Sequence, residues 1–200
     1  MSGAGDAASD DARPNPPTPP HRLVAGPAAI DDLDAFLAAL DEVAAETGAV
    51  VQAFDADLIV SAAHLREATR LAARSIARGE AVARDPGVEI MLYAAGRRQI
   101  DRALALGVSE GEQRAVVLVA DFGGVPGVDR PEADLDAAAE SVRDLLGSPA
   151  TIGADDGDAP AFDAERVREF YGIGDRELAA TAGGIGEVVR ERVALLDVEK

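Results

Sequence analysis

The 200-residue chain has no cysteine and no tryptophan, and its only lysine is Lys200. Without thiols there is no disulfide framework, no thiolate metal site and no cysteine nucleophile. Without an internal lysine, a phosphate-cradling loop of the nucleotide-hydrolase kind lacks the cation that follows its glycines and reaches the phosphates. The candidates Gly123-Gly124-Val125-Pro126-Gly127 and Gly183-Gly184-Ile185-Gly186 are therefore not expected to hold a phosphate cofactor; the second also lacks dinucleotide spacing and follows no expected strand. No apolar run approaches the length that spans a bilayer, and the start shows neither the basic residues nor the apolar centre of a secretory leader. A soluble, cytoplasmic protein is expected.

Histidine is scarce as well, with only His21 and His64. Neither has evident companions for a metal site or a Ser/His/Asp triad, so the chain reads as non-catalytic, with no metal and no cofactor. His64, in the first turn of a helix, reads as a capping or packing residue. Aromatic residues make up 4% of the chain, so the core must be built from Ala, Val, Leu and Ile. Length and composition suit one domain with a single, finely packed core.

What is abundant is negative charge, with 37 acidic against 19 basic residues and a net charge of -18. At first this argues against a polyanionic partner. The basic residues, all arginine except Lys200, point instead to a halophilic cytoplasm, where molar salt screens repulsion over about 3 Å. A GC-rich genome would also favour arginine over lysine.

Residues 1–21, with five prolines between Pro14 and Pro20, read as a disordered tail, and 22–200 as the domain, with mobile loops at 122–130 and 148–161. A short first strand, Arg22 to Ala25, is closed by Gly26-Pro27. Leu33, Phe36, Leu37, Leu40 and Val43 then mark a helix that ends at Thr47-Gly48. Ala49 to Phe54 reads as a strand. Ser61 caps a helix running to about Arg78, along which Arg66, Arg70, Arg74 and Arg78 form a stripe. The continuous apolar run Ala115 to Ala120 is a strand covered on both faces. Pro131 opens a helix that Gly147 ends; Asp163 and Asp175 start two short helices; and Gly183-Gly184 precede a last one. The sum is a mixed α/β fold, mostly helical, with a small sheet of three or four strands wrapped by six to eight helices. Strand order does not follow from the pattern.

The chain is organised around Val88 to Leu106, where an apolar run meets Gly96 and turns into a second amphipathic helix. In that helix Ile100, Ala103 and Leu104 are expected to be buried, and Arg97, Arg98 and Arg102 to be displayed. Between Ser61 and Leu106 eight arginines stand against five acids, a local excess of three positive charges in a strongly anionic chain.

The bend resembles the motif Glu-Ile-Leu followed by small-Gly-x-Arg-Gln-Ile of the small CGI-type subunit (TPRKB in animals) of the KEOPS tRNA-modifying complex. It stands here as Glu89-Ile90-Met91 and Ala95-Gly96-Arg97-Arg98-Gln99-Ile100. Met91 replaces the expected leucine at conserved volume. The likeness runs from about Arg22 to Lys200 and includes Ala56-Asp57, His64-Leu65 and Arg192-Val193-Ala194-Leu195-Leu196. With the charge pattern, the resemblance is to a haloarchaeal member.

The resemblance implies a non-catalytic accessory subunit that holds the tRNA acceptor end and docks on the small atypical kinase/ATPase. Through that kinase it would serve the transferase subunit that makes threonylcarbamoyladenosine. By position in the motif, Arg97, Arg98 and Gln99 contact RNA; the charge excess adds Arg74, Arg78 and Arg84. Taken alone, the arginine stripe is equally a solvated face, in which case the chain is a kinase-regulatory subunit without direct RNA binding. Val189, Val193 and Leu196 on the last helix are the expected kinase-docking residues, although the chain itself could equally cover that apolar face.

Overall fold

Every residue from Ala115 to Ala120 is buried, and that apolar run sets the architecture. The computed structural model describes residues 14–152 and 161–198. Its elements in order are β1 (His21–Ile30), α1 (Leu33–Thr47), β2 (Val50–Asp55), α2 (Ala62–Ala77), α3 (Pro86–Ala94), α4 (Ile100–Ala103), β3 (Gly111–Ala120), α5 (Leu135–Leu145), β4 (Ala150–Ile152), α6 (Ala164–Tyr171), α7 (Asp175–Ala180) and α8 (Gly184–Val198). Short 3-10 turns at Ala56–Leu58 and Leu104–Leu106 follow β2 and α4.

The four strands form one antiparallel sheet in the order β2-β3-β1-β4. Alternate residues of β3 serve opposite cores, as strand geometry requires. Ala115, Val117 and Val119 pack with Leu40, Val43, Ala138 and Val142 under α1 and α5. Val116, Leu118 and Ala120 pack with Leu65, Leu71, Ile90 and Val189 under α2, α3 and α8. The mixed, mostly helical fold is as expected, and the strand covered on both faces is β3.

Part of the negative charge works as helix caps. Asp32, Asp85, Asp134 and Asp163 each accept a first-turn backbone N–H at 2.9–3.1 Å, as Ser61 does for α2. Such caps contribute about 1 kcal/mol each.

Four expectations need correction. First, β1 does not close at Gly26-Pro27 but continues to Ile30, with Pro27 opposite Arg114. N–H and C=O of one antiparallel residue point to the same side, and Pro27 O accepts the Gly147 N–H at 2.8 Å. The missing proline N–H therefore lies on the β4 side, beyond that three-residue strand, and no ladder bond is lost. At Gly26 a Cβ would sit 2.8 Å from Gly147 O, so this crossing needs glycine.

Second, α5 begins at Leu135 under the Asp134 cap, not at Pro131, whose carbonyl instead packs where a Gly123 Cβ would be. In the preceding loop Phe122 and Val125 are buried. Third, the stretch read as a loop over 148–161 contains β4; residues 153–160 lie outside the described residues. Fourth, the tail expected over 1–21 ends sooner. Pro19 is buried, Pro20 O accepts the Asp121 N–H at 2.9 Å, and His21 starts β1; residues 1–13 lie outside the described residues.

His64 is a core residue. Its Nε2–H donates to Ala94 O at 2.8 Å, the Tyr171 hydroxyl donates to the same carbonyl at 2.9 Å, and Nδ1 is buried with no partner among the described residues. Burial lowers its pKa from the ordinary value to about 4, so the ring is neutral in the fold. The unfolded chain takes up a proton below about pH 6.5 that the folded chain refuses until about pH 4. Stability is therefore unaffected above that window and falls by about 1.4 kcal/mol per unit as pH drops through it. Urea unfolding at pH 7 and pH 5 in molar potassium chloride is expected to differ by about 2 kcal/mol from this group. His64→Gln should show a correspondingly smaller loss.

Candidate nucleic-acid interface

The bend is built from the closing of α3. Gly96, at φ 60°, takes the left-handed conformation; its N–H bonds Tyr93 O at 2.9 Å and the Arg97 N–H bonds Leu92 O at 3.1 Å. Those two bonds satisfy the last-turn carbonyls that a helix end leaves open. The next open carbonyl, Ala94 O, is the one that His64 and Tyr171 share. A Cβ on Gly96 would meet Arg192 at 3.3 Å, so the glycine also lets α8 pass close to the turn.

At the other end of α3, Glu89 is buried and accepts the backbone N–H groups of Val82 and Ala83 at 3.0 and 2.8 Å. That carboxylate ties the α2–α3 loop, and hence the position of Arg84, to the helix. Upstream, Arg166 bridges Asp55 at 2.6 Å and Asp57 at 3.1 Å, fastening α6 to the end of the sheet.

The two motif arginines reach different helices. Arg97 lies over the Phe170 ring, 5.1 Å from its centroid, and donates to Phe170 O on α6. Arg98 donates to Leu196 O at 2.9 Å, at the C-terminal end of α8, where a cation also complements the helix dipole. Beside it Arg74 pairs with Asp197, which also accepts the Tyr93 hydroxyl at 3.3 Å. Arg78, one turn further along α2, donates to Pro14 O at 3.0 Å. Burial, followed by the neighbouring Arg78 and Arg70, pushes the Arg74 pKa down. Arg70 itself is paired with Glu67 at 2.6–2.9 Å.

The structure thus gathers Arg74, Arg97 and Arg98 around the end of α8, with Arg78 next along the stripe. Arg84 and Gln99 are exposed. For Arg84 no hydrogen bond or ion pair is found among the described residues. Tyr93 is a buried core tyrosine and offers no face to a base. Sequence reasoning missed Asp197 and Phe170, because nothing local marks a partner that lies about 70 to 120 residues away.

Two expectations fail at the bend. Ile100 and Leu104 are exposed, at 41% and 54%, and only Ala103 and Leu106 turn inward, because α4 is a single turn that runs into a 3-10 segment. Val189, Val193 and Leu196 are buried in the chain's own core, chiefly against α2, so they form no free docking face.

A family model described as kinase binding protein CGI-121 matches residues 35–197. The chain belongs to this family. The match starts within α1 and ends at Asp197, so the whole bend and its clasps lie inside the CGI-121 span, and the resemblance read from Glu89-Ile90-Met91 and the Gly96 turn is borne out. Comparison with curated proteins finds no match.

The Asp197 clasp has a measurable energy. Asp197→Asn should leave Arg74 in a partly buried position without its counter-charge and destabilise the fold by roughly 2 kcal/mol, less than the 3–5 kcal/mol typical of a fully buried pair. Urea unfolding gives the magnitude. Amide exchange should show the loss first in the last turn of α8.

Proposed function

We propose that this CGI-121 family member is a non-catalytic accessory subunit of the KEOPS complex. In this reading it docks on and activates the small kinase/ATPase and holds the tRNA acceptor end at the bend. The supporting observation is the kind of partner its arginines have. Arg78, Arg97 and Arg98 bond to backbone carbonyls, which are neutral, and no carboxylate among the described residues pairs with them, so their positive charge is held in place. A guanidinium has five N–H donors, and these residues are left with others for phosphate. Arg84 and Gln99 are exposed.

In the molar salt implied by the composition, counterion release contributes little, and affinity must come from close guanidinium–phosphate contacts and stacking. That favours a short single-stranded end over a long duplex. A second reading, kinase docking without RNA, is favoured by the Arg70–Glu67 and Arg74–Asp197 pairs, which do cancel charge.

A tRNA mobility shift in molar potassium chloride separates the two. Binding by the parent chain is expected, with Arg78→Ala plus Arg84→Ala, which spare the α6 and α8 clasps, weakening it by roughly tenfold. Arg97→Ala plus Arg98→Ala should abolish it. No shift with the parent leaves the kinase-docking reading alone.

A further inference from the structure

The docking face expected on α8 is filled by the chain itself, so the kinase needs another surface. Five large apolar side chains are exposed among the described residues: Leu37, Val82, Ile100, Leu104 and Leu195. Leu37 and Leu104 stand on the walls of one groove, and Ile100 lies one helical turn before Leu104. The groove has a volume of about 520 Å³ and runs between α1 and the α3–α4 segment, against β2. Leu40, Val51, Met91 and Val108 continue its apolar lining. β2 is an edge strand, paired only to β3, so no strand among the described residues covers its outer side.

The charges on the groove walls are unbalanced. Asp41 and Asp85 line the groove against a single Arg130, and Asp34 stands exposed on α1 next to the groove-lining Leu33. This surface accepts an apolar ridge flanked by cations and repels an acidic one. A second copy of this chain, with 37 acids, brings the wrong sign. High salt weakens steering by charge but not apolar burial, so a groove of this composition retains affinity in the solvent inferred above.

We propose that the kinase docks here, laying an apolar segment with flanking arginine or lysine side chains into the groove between α1 and the α3–α4 bend. This rests on the kinase-docking part of the proposed function. The groove shares no lining residue with the guanidinium cluster at the end of α8.

The test uses the full chain and the small kinase encoded by the same genome, with affinity measured by calorimetry in molar potassium chloride. Leu37→Asp plus Leu104→Asp should weaken kinase binding at least a hundredfold and leave the melting temperature and the tRNA shift unchanged. Asp41→Arg should weaken it severalfold, and Leu195→Asp, on α8, should not. Parent-like affinity in the double variant overturns the proposed face while the kinase reading stands. A parent chain that does not bind the kinase overturns both. Sedimentation showing a parent dimer that the double variant breaks assigns the groove to a second copy and overturns the proposal.

Discussion

The left-handed turn at Gly96 is the constraint on which the rest of the helical layer depends. A helix end carries open carbonyls, and α3 closes its last turn with bonds from Gly96 and Arg97 before handing Ala94 O to His64 and Tyr171. That handover joins α2, α3 and α6 at one buried oxygen. The same turn sends Arg97 to α6 and Arg98 to α8, and the absent Cβ admits Arg192 of α8. One backbone conformation therefore determines where two later helices lie. A substitution at Gly96 would strain the turn itself and press on α8 together.

Arginine at these positions is not interchangeable with lysine. A guanidinium can bond a carbonyl, stack on a ring and still offer N–H groups in its plane, as Arg97 does on Phe170. An ammonium has no flat face to stack on. The structural and the proposed RNA-contacting uses of the motif are thus compatible. Charge is lost only where a carboxylate answers, as at Arg70 and Arg74.

What was legible in the sequence was local. Asp32, Ser61 and Asp163 announce helix starts because a cap bonds within three residues, and Gly48, Gly79 and Gly96 announce ends because positive φ is nearly a glycine property. Ala115 to Ala120 reads as a strand covered twice because nothing polar interrupts it. What was hidden was set by distant partners. Pro27 stays in a strand because β4 stops short of it, and Val189 is core because α2 lies on it. The arginine cluster was visible as a count, but its clasps were not, since Asp197 and Phe170 carry no local mark. Ile100 and Leu104 show the same limit from the other side: helical spacing predicts a shared face but not which way that face turns.

That outward turn gives α3 two working faces. Asp85, Val88 and Met91, spaced by three, line the groove, whereas Glu89, Leu92 and Tyr93 border the arginine cluster. The helix has only nine residues, closed by a cap at one end and the Gly96 turn at the other, so it has little freedom to bend between its faces. A partner that shifts α3 from the groove side must shift the Glu89-anchored loop and the Gly96 turn with it. Coupling between the two surfaces then requires only that the partner bind one position of α3 better than another, and by reciprocity a ligand at the arginine cluster would favour the same position. The physical link is a short rigid helix held at both ends, and no longer pathway through the core is needed.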